Sequence, residues 1–281
     1  MTVPVLFNRK LVRYHRDRAA RHSQAVRGIV EVCAERLLDR LDDIQRPFKD
    51  ALEIGGRGVI APVLQSRGMS VVSGDLSQRL VSLNKAPSVC MDEEFFPFKA
   101  QSFDLVVASF NLHWVNDLPG ALIQIKNILR PDGLFLAAIP ILPTLSMLRD
   151  IMAEEELELS DRVFPRVSPF PDLRVCATLM QRVGFALPVV DKEEVELVYR
   201  SAVGLMQDLR FSGETNALVE QKKTFSIRAL IAHYFARLEE QGEFKMPLHF
   251  AILTGWAPDA SQQQPLKPGQ FSVSLEEMLT Q

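Results

Sequence analysis

The chain has 281 residues, 47% of them hydrophobic and 24% charged, with a formal net charge of −3. This is ordinary for a globular protein, sufficient for one large domain with insertions, and carries no global signature of a nucleic-acid binder. Cys33, Cys90 and Cys176 are scattered, odd in number and without a C-x-x-C pair, and the histidines lack metal spacing. Together these exclude a disulfide frame or a zinc site and suit a reducing cytoplasm.

Met1 to Phe7 is apolar but too short for a signal peptide, and no small-residue cleavage site follows it. Residues 1–30 then hold Arg9, Lys10, Arg13, Arg16, Arg18, Arg21 and Arg27 against a single acid, Asp17. Such a run reads either as a solvated helix face or as a docking arm for an acidic partner. Helix formers dominate residues 9–45, and Ile29, Val30, Cys33, Leu37, Leu38 and Leu41 recur at spacings of three and four, a core-facing stripe.

After Pro47 strands and helices alternate. Ala51-Leu52-Glu53-Ile54 is a short strand, and Val59 to Gln65 begins a helix that tolerates Pro62 in its first turn. Ser70 to Ser73 is a second strand, ending at Gly74-Asp75. Pro87 to Met91 is a third, ending at Asp92. Phe103 to Ser109 is nearly all apolar, as a parallel strand covered on both faces should be. Leu118 to Leu129 is an amphipathic helix, Pro131-Asp132-Gly133 a turn, and Leu134 to Ile139 a fifth buried strand. The run from Gly133 to Leu148 is broken by Pro140 and Pro143, so no segment reads as a membrane span.

Beyond residue 140 the pattern predicts a helix over 145–159, a proline-rich loop over 162–172 and a helix from Arg174 to Val183 closed by Gly184. The last two strands are expected at Glu193 to Tyr199 and His249 to Trp256, separated by a mostly helical insertion over 202–241. The alternation predicts an α/β fold with a parallel sheet. Its divisions are a helical N-terminal extension (1–48), a central domain (49–257) with cap insertions at 140–183 and 202–241, and a flexible tail (258–281).

The chemistry-bearing pattern is Glu53-Ile54-Gly55-Gly56-Arg57-Gly58, a glycine turn between a strand and a helix. Such turns let a ligand approach the backbone and the free N–H groups of a helix start. Asp75 and Asp92 close the next two strands, where this layout binds ligands. Acids at three successive strand ends suit ribose hydroxyls, an adenine amino group and the loop itself. No G-x-S-x-G elbow, HExxH pair or GKS/T loop is present.

Further runs carry a resemblance: Met91 to Phe98, Ser102 to Val107, Leu112-His113-Trp114-Val115-Asn116-Asp117-Leu118-Pro119, Leu129 to Gly133, Ser168-Pro169-Phe170, Leu205 to Leu209 and Ser212-Gly213-Glu214-Thr215-Asn216. With Leu52 to Val59, and over most of residues 5–257, the chain resembles class I S-adenosylmethionine-dependent methyltransferases. Within them it is most similar to the methyltransferase-like assembly factors of respiratory complex I, relatives of the malonyl-carrier-protein methyltransferases of biotin synthesis. The resemblance implies a Rossmann-like, seven-stranded, mostly parallel sheet with helices on both faces. It implies S-adenosylmethionine as cofactor, held by Glu53, Gly55, Gly56, Gly58, Asp75, Leu76, Asp92, Glu93, Ser109 and Leu112, and no metal. His113 would act as a general base or pack against the methionine end of the cofactor; Trp114 would be a pocket wall or a core residue.

The turn departs from the family's acid-x-Gly-x-Gly-x-Gly by one residue between its first two glycines. Arg57 then takes the second glycine's place or the loop is redrawn, with cofactor binding weakened, rearranged or lost. The implied function is modification of a protein arginine during complex I assembly. The alternatives are a non-catalytic assembly chaperone with a degenerate site, and a carboxyl methyltransferase of an acyl carrier or a small molecule.

Overall fold

Two helices lead into the sheet in the computed structural model, which describes residues 4–160, 162–221, 228–240 and 242–262. They are α1 (Arg9–Ala19) and α2 (Arg27–Leu38), each followed by a short 3-10 turn. Asn8 starts α1 by accepting from the Leu11 N–H at 3.2 Å. The expected stripe on α2 is its buried face, with Cys33, Leu37 and Leu38 in the core.

The alternation follows as β1 (Asp50–Ile54), α3 (Ile60–Ser66), β2 (Ser70–Asp75), α4 (Gln78–Val81), β3 (Ser88–Cys90), β4 (Phe103–Ser109), α5 (Leu118–Ile128) and β5 (Leu129–Pro140). Next come α6 (Ser146–Ser160), α7 (Leu173–Val183), β6 (Ala186–Val195), β7 (Val198–Tyr199), α8 (Ala202–Phe211), α9 (Arg228–Glu239), β8 (Phe244–Lys245) and β9 (Leu248–Trp256). Seven strands form one sheet in the order β3-β2-β1-β4-β5-β9-β6. The first five are parallel, and β9 runs antiparallel to both of its neighbours. The period of two explains the two cores. Leu52, Ile54, Val106 and Ala108 face one layer, with Leu122 and Ile125 of α5 and Met180 of α7. Ala51, Leu105 and Val107 face the other, with Leu37 of α2 and Ile60 and Leu64 of α3.

Two expectations change. The turn at Pro131-Asp132-Gly133 is absorbed into β5, where the pairing steps from Phe103↔Leu129 to Leu105↔Leu134. Asp132 takes φ +59° there, so the turn chemistry makes a bulge rather than a break. The sixth strand runs over 186–195, not 193–199. Pro188 and the charges at 191–194 disguise it, and both suit the edge of a sheet, where one side of the strand pairs with nothing.

In the second half of the chain α6, α8 and α9 pack together beside the carboxyl ends of the strands. Leu148 of α6, Ala202 and Leu205 of α8 and Leu238 of α9 share a cluster with Phe244 and Met246. Residues 222–227 and 241 of the expected insertion, and 263–281 of the expected tail, lie outside the described residues. No helix among the described residues is long and apolar enough to cross a membrane.

Candidate functional site

The glycine turn leaves β1 at the point where the strand order reverses, between β2 and β4, so it opens on the crevice at the strands' carboxyl ends. Gly55 has φ +77°, and a Cβ there would lie 2.6 Å from the Ser109 carbonyl oxygen at the end of β4. Only glycine lets the two strand ends approach so closely. The Gly56 N–H donates to the Glu53 carboxylate, tying the turn to its own acid. The shortened turn is closed by Arg57 at φ +51° and Gly58 at φ +80°. The loop is redrawn: Arg57 carries a side chain in left-handed backbone, and that side chain is 9% exposed.

Beside the turn lies a row of acids. Burial lifts the Glu53 carboxyl to about 7, more than the Gly56 N–H offsets. Asp75, at the end of β2, accepts from the Ser77 N–H at 2.7 Å, and burial raises its carboxyl against the opposing pull of Arg16. Asp92 and Glu93 follow β3. Glu93 is fully buried; burial works to raise it, but Arg16 and Arg9 together hold it below the ordinary range.

Those cations come from α1. Arg16 is buried, pairs with Glu93, approaches Asp75 Oδ1 to 3.4 Å and donates to the Asn111 carbonyl at 3.2 Å. Arg9 donates to Asp92 Oδ1 at 2.6 Å, to Glu93, and to the Trp114 carbonyl at 3.0 Å. The N-terminal basic segment is thus neither wholly a solvated face nor wholly an arm. Arg9 and Arg16 turn inward, while Lys10, Arg13, Arg21 and Arg27 stay exposed. The sequence held the signal: Arg9, Val12, Arg16 and Ala19 recur at spacings of three and four, one face of a helix.

Beyond the turn the crevice widens into a cavity of about 240 Å³. Gly55, Arg57 and Ser109 form its floor, and Leu148, Leu205 and Met206 are among the cap residues that wall it. At the junction sits Glu214. Its Oε2 accepts from His113 Nε2 at 2.9 Å and from Trp114 Nε1 at 3.1 Å, and Arg57 Nη2 lies 3.4 Å from its Oε1. A carboxylate only accepts, so the His113 proton resides on Nε2. Trp114 is both core and wall: it packs edge-on to Phe7 with ring centroids 5.2 Å apart and also lines the cavity.

The structure gathers Glu53, Gly55, Gly56, Asp75, Asp92, Glu93 and Ser109 at one end of the sheet. Gly58 sits further along, against Leu83. The Leu76 side chain packs with Phe7, Val12 and Trp114, and Leu112 lies wholly within the core. Sequence reasoning missed Arg9, Arg16 and Glu214 as site residues, although Glu214 falls in one of the motifs that carried the resemblance.

A nucleotide-type cofactor suits this groove in two different ways. Asn111 Oδ1 and His113 Nδ1 are buried without a hydrogen-bond partner in the described structure, which marks the region between acids and cavity as one that a polar ligand would complete. The end toward Gly55 and Ser109 adjoins open space. The end at Asp75 and Asp92 offers the acids for ribose and adenine, but a ligand there must exchange with Arg16 and Arg9.

Comparisons with known proteins bear on the family and the fold. Residues 52–137 match the family model described as a methyltransferase domain. Arginine-hydroxylase NDUFAF5 of Danio rerio is 34% identical over 97% of this chain and 89% of its own length. Malonyl-[acyl-carrier protein] O-methyltransferase of Methylovorus sp. is 30% identical, covering 95% of each chain. Among solved structures, the YcgJ protein of Bacillus subtilis shares the fold with a TM-score of 0.53 at 13% identity, covering 80% of this chain and 100% of that one.

Proposed function

Because the chain belongs to the class I methyltransferase-fold family that includes arginine-hydroxylase NDUFAF5, we propose that it is an S-adenosylmethionine-dependent enzyme. Its acceptor on this reading is an arginine of a protein assembled into respiratory complex I, and it works in the cytoplasm. The observation that carries the proposal is adjacency: Gly55, in the turn that follows Glu53, and Ser109, at the end of β4, both line the cavity that Leu148, Leu205 and Met206 wall.

Asp75 would take ribose hydroxyls, Asp92 the adenine amino group, and Glu53 would hold the turn through the Gly56 N–H. When bound, the cofactor supplies an electrophilic methyl group on a sulfonium. The protein's own share is placement. The cap excludes water, and the floor at Gly55 and Ser109 sets two reactants side by side, which by itself contributes a large part of such catalysis. His113 acts here as a positioning residue, since its Nε2 is committed to Glu214. Among the described residues no group of three or more His, Cys, Asp or Glu side chains could hold a metal ion.

A second reading, carboxyl methylation of an acyl carrier, draws support from Lys10, Arg13 and Arg21, exposed on one segment where an acidic carrier would be steered. The two are separated by incubating the full chain with S-adenosylmethionine and either complex I subunits or malonyl carrier protein, followed by peptide mass spectrometry. A methyl increment mapped to an arginine is the expected result. An ester on the carrier alone would replace the first reading with the second. The absence of any product from a chain that binds no cofactor would point to the assembly chaperone.

A further inference from the structure

Glu214 is a fixed anion whose present partner fits poorly. It follows α8 in a turn made by Gly213 at φ +79°, and its own N–H donates to the Leu209 carbonyl at 2.8 Å. His113 and Trp114 occupy Oε2, leaving Oε1 to Arg57, and Glu214 lines the cavity. Burial works to raise this carboxyl, but His113, Arg57 and Arg16 hold it below the ordinary range, so it is ionised at neutral pH. Its partner Arg57 is in the reverse position. Burial lowers that guanidinium, and Glu214 and Asp75 offset the effect only in part. A guanidinium carries five N–H donors, and the one hydrogen bond shown for Arg57 is 3.4 Å long, at the outer limit of such contacts.

Across the rest of the cavity lining stand one acid and one arginine. Asp208 is a second acid on its lining, and Arg166, the other cation there, is engaged by buried Glu156. Leu209 and Met206 beside these acids offer apolar surface for a methylene stem. A carboxylate ligand would meet two acids of its own charge and two arginines already paired with carboxylates. A cation on an apolar stem would meet an oriented carboxylate, already ionised.

We propose that Glu214 is the subsite for an alkylguanidinium group, and that Arg57 occupies it in the free chain in place of the substrate's own arginine. The inference rests on the arginine reading above and assigns its specificity to one residue. It also accounts for an arginine in the left-handed backbone of the turn: that geometry aims the side chain from the cofactor floor into the substrate subsite. Arrival of the substrate would release the Arg57 guanidinium toward the floor at Gly55 and Ser109.

The probes are Nα-acetyl-arginine N-methylamide and its citrulline counterpart, which has the same shape without the charge. Binding to the full chain is followed by NMR line-shape titration. Wild type should bind the arginine probe at least tenfold tighter than the citrulline probe, because a charge-assisted pair is lost in the latter. Glu214→Gln keeps an acceptor for His113 and Trp114 and should abolish that preference while leaving citrulline binding unchanged. Arg57→Met should tighten the arginine probe severalfold, a result that a purely structural Glu214 would not give. A preference retained in Glu214→Gln, or arginine binding unimproved in Arg57→Met, overturns the subsite and leaves the arginine reading standing. A wild type that prefers neither probe, or that takes a malonyl carrier instead, overturns both.

Discussion

At the outer ends of β1 to β3 the molecule gathers buried carboxylates and closes them with two arginines of α1. Past the ends of β4 and β5 it keeps a cavity of about 240 Å³ under apolar cap residues. The contrast follows from what each set of side chains demands. A buried carboxylate without a cation is costly, so the chain supplies its own cations and that half is full. Apolar walls make no such demand, so space persists between them. The difference teaches how a ligand enters: by exchange of ion pairs in the first half, by filling in the second.

The largest test of that contrast is Arg16→Met. It leaves buried Glu93 with Arg9 alone and takes the Arg16 guanidinium away from Asp75, and should cost about 3–5 kcal/mol by urea denaturation. Arg13→Met, three residues earlier on the exposed face, should change stability by less than ~0.5 kcal/mol. Equal losses at the two positions would erase the distinction between inward and outward arginines.

Glu53 sharpens it through pH. Its folded carboxyl sits at about 7 against an ordinary 4.5, so between those values the folded chain binds a proton that the unfolded chain releases. Its contribution to stability therefore falls as pH rises from 4.5 through 7. Glu53→Gln should gain about 1–3 kcal/mol at pH 8 and little at pH 4.5, on the scale of 1.4 kcal/mol per unit. Glu93 and Glu214 act in the opposite sense. Their folded carboxyls are lowered, so their contributions are complete above the ordinary carboxylate range and are lost as pH falls below it through the lowered folded values; an acid limb should remain in the variant. A gain independent of pH would contradict the assignment.

On the cavity side the effect should be smaller than in the acid row. Met206 is half-buried on an open wall, so Met206→Ala should cost only ~1 kcal/mol, below the range for fully packed sites. A loss as large as that of Arg16→Met would mean that the wall is as tightly interlocked as the acid row.

Much of the fold was legible because its strands are buried on both faces. Phe103–Ser109 reads as a continuous apolar run and is β4 to the residue, and Gly184 ends α7 as its left-handed tendency predicts. The edge strand β6 was displaced in the reading because Pro188 and the 191–194 charges are tolerated only where one side of a strand is unpaired. The strand-end acids were visible because each closes an apolar run. Their partners were not, because Arg9 and Arg16 stand about 60 to 85 positions away and sit among five other bases; only spacing against Val12 and Ala19 separates them from the exposed ones. Glu214 was hidden for the same reason: its neighbours His113 and Trp114 lie 101 and 100 positions distant.

The central claim is that the strand-end acids hold S-adenosylmethionine once the α1 arginines give way. Calorimetric titration of the cofactor into wild type and into Asp75→Asn, both first confirmed as folded by thermal melting, tests it directly. The account predicts saturable binding to wild type and at least tenfold weaker binding to the variant. No binding to folded wild type, or equal affinity in the two chains, would contradict it.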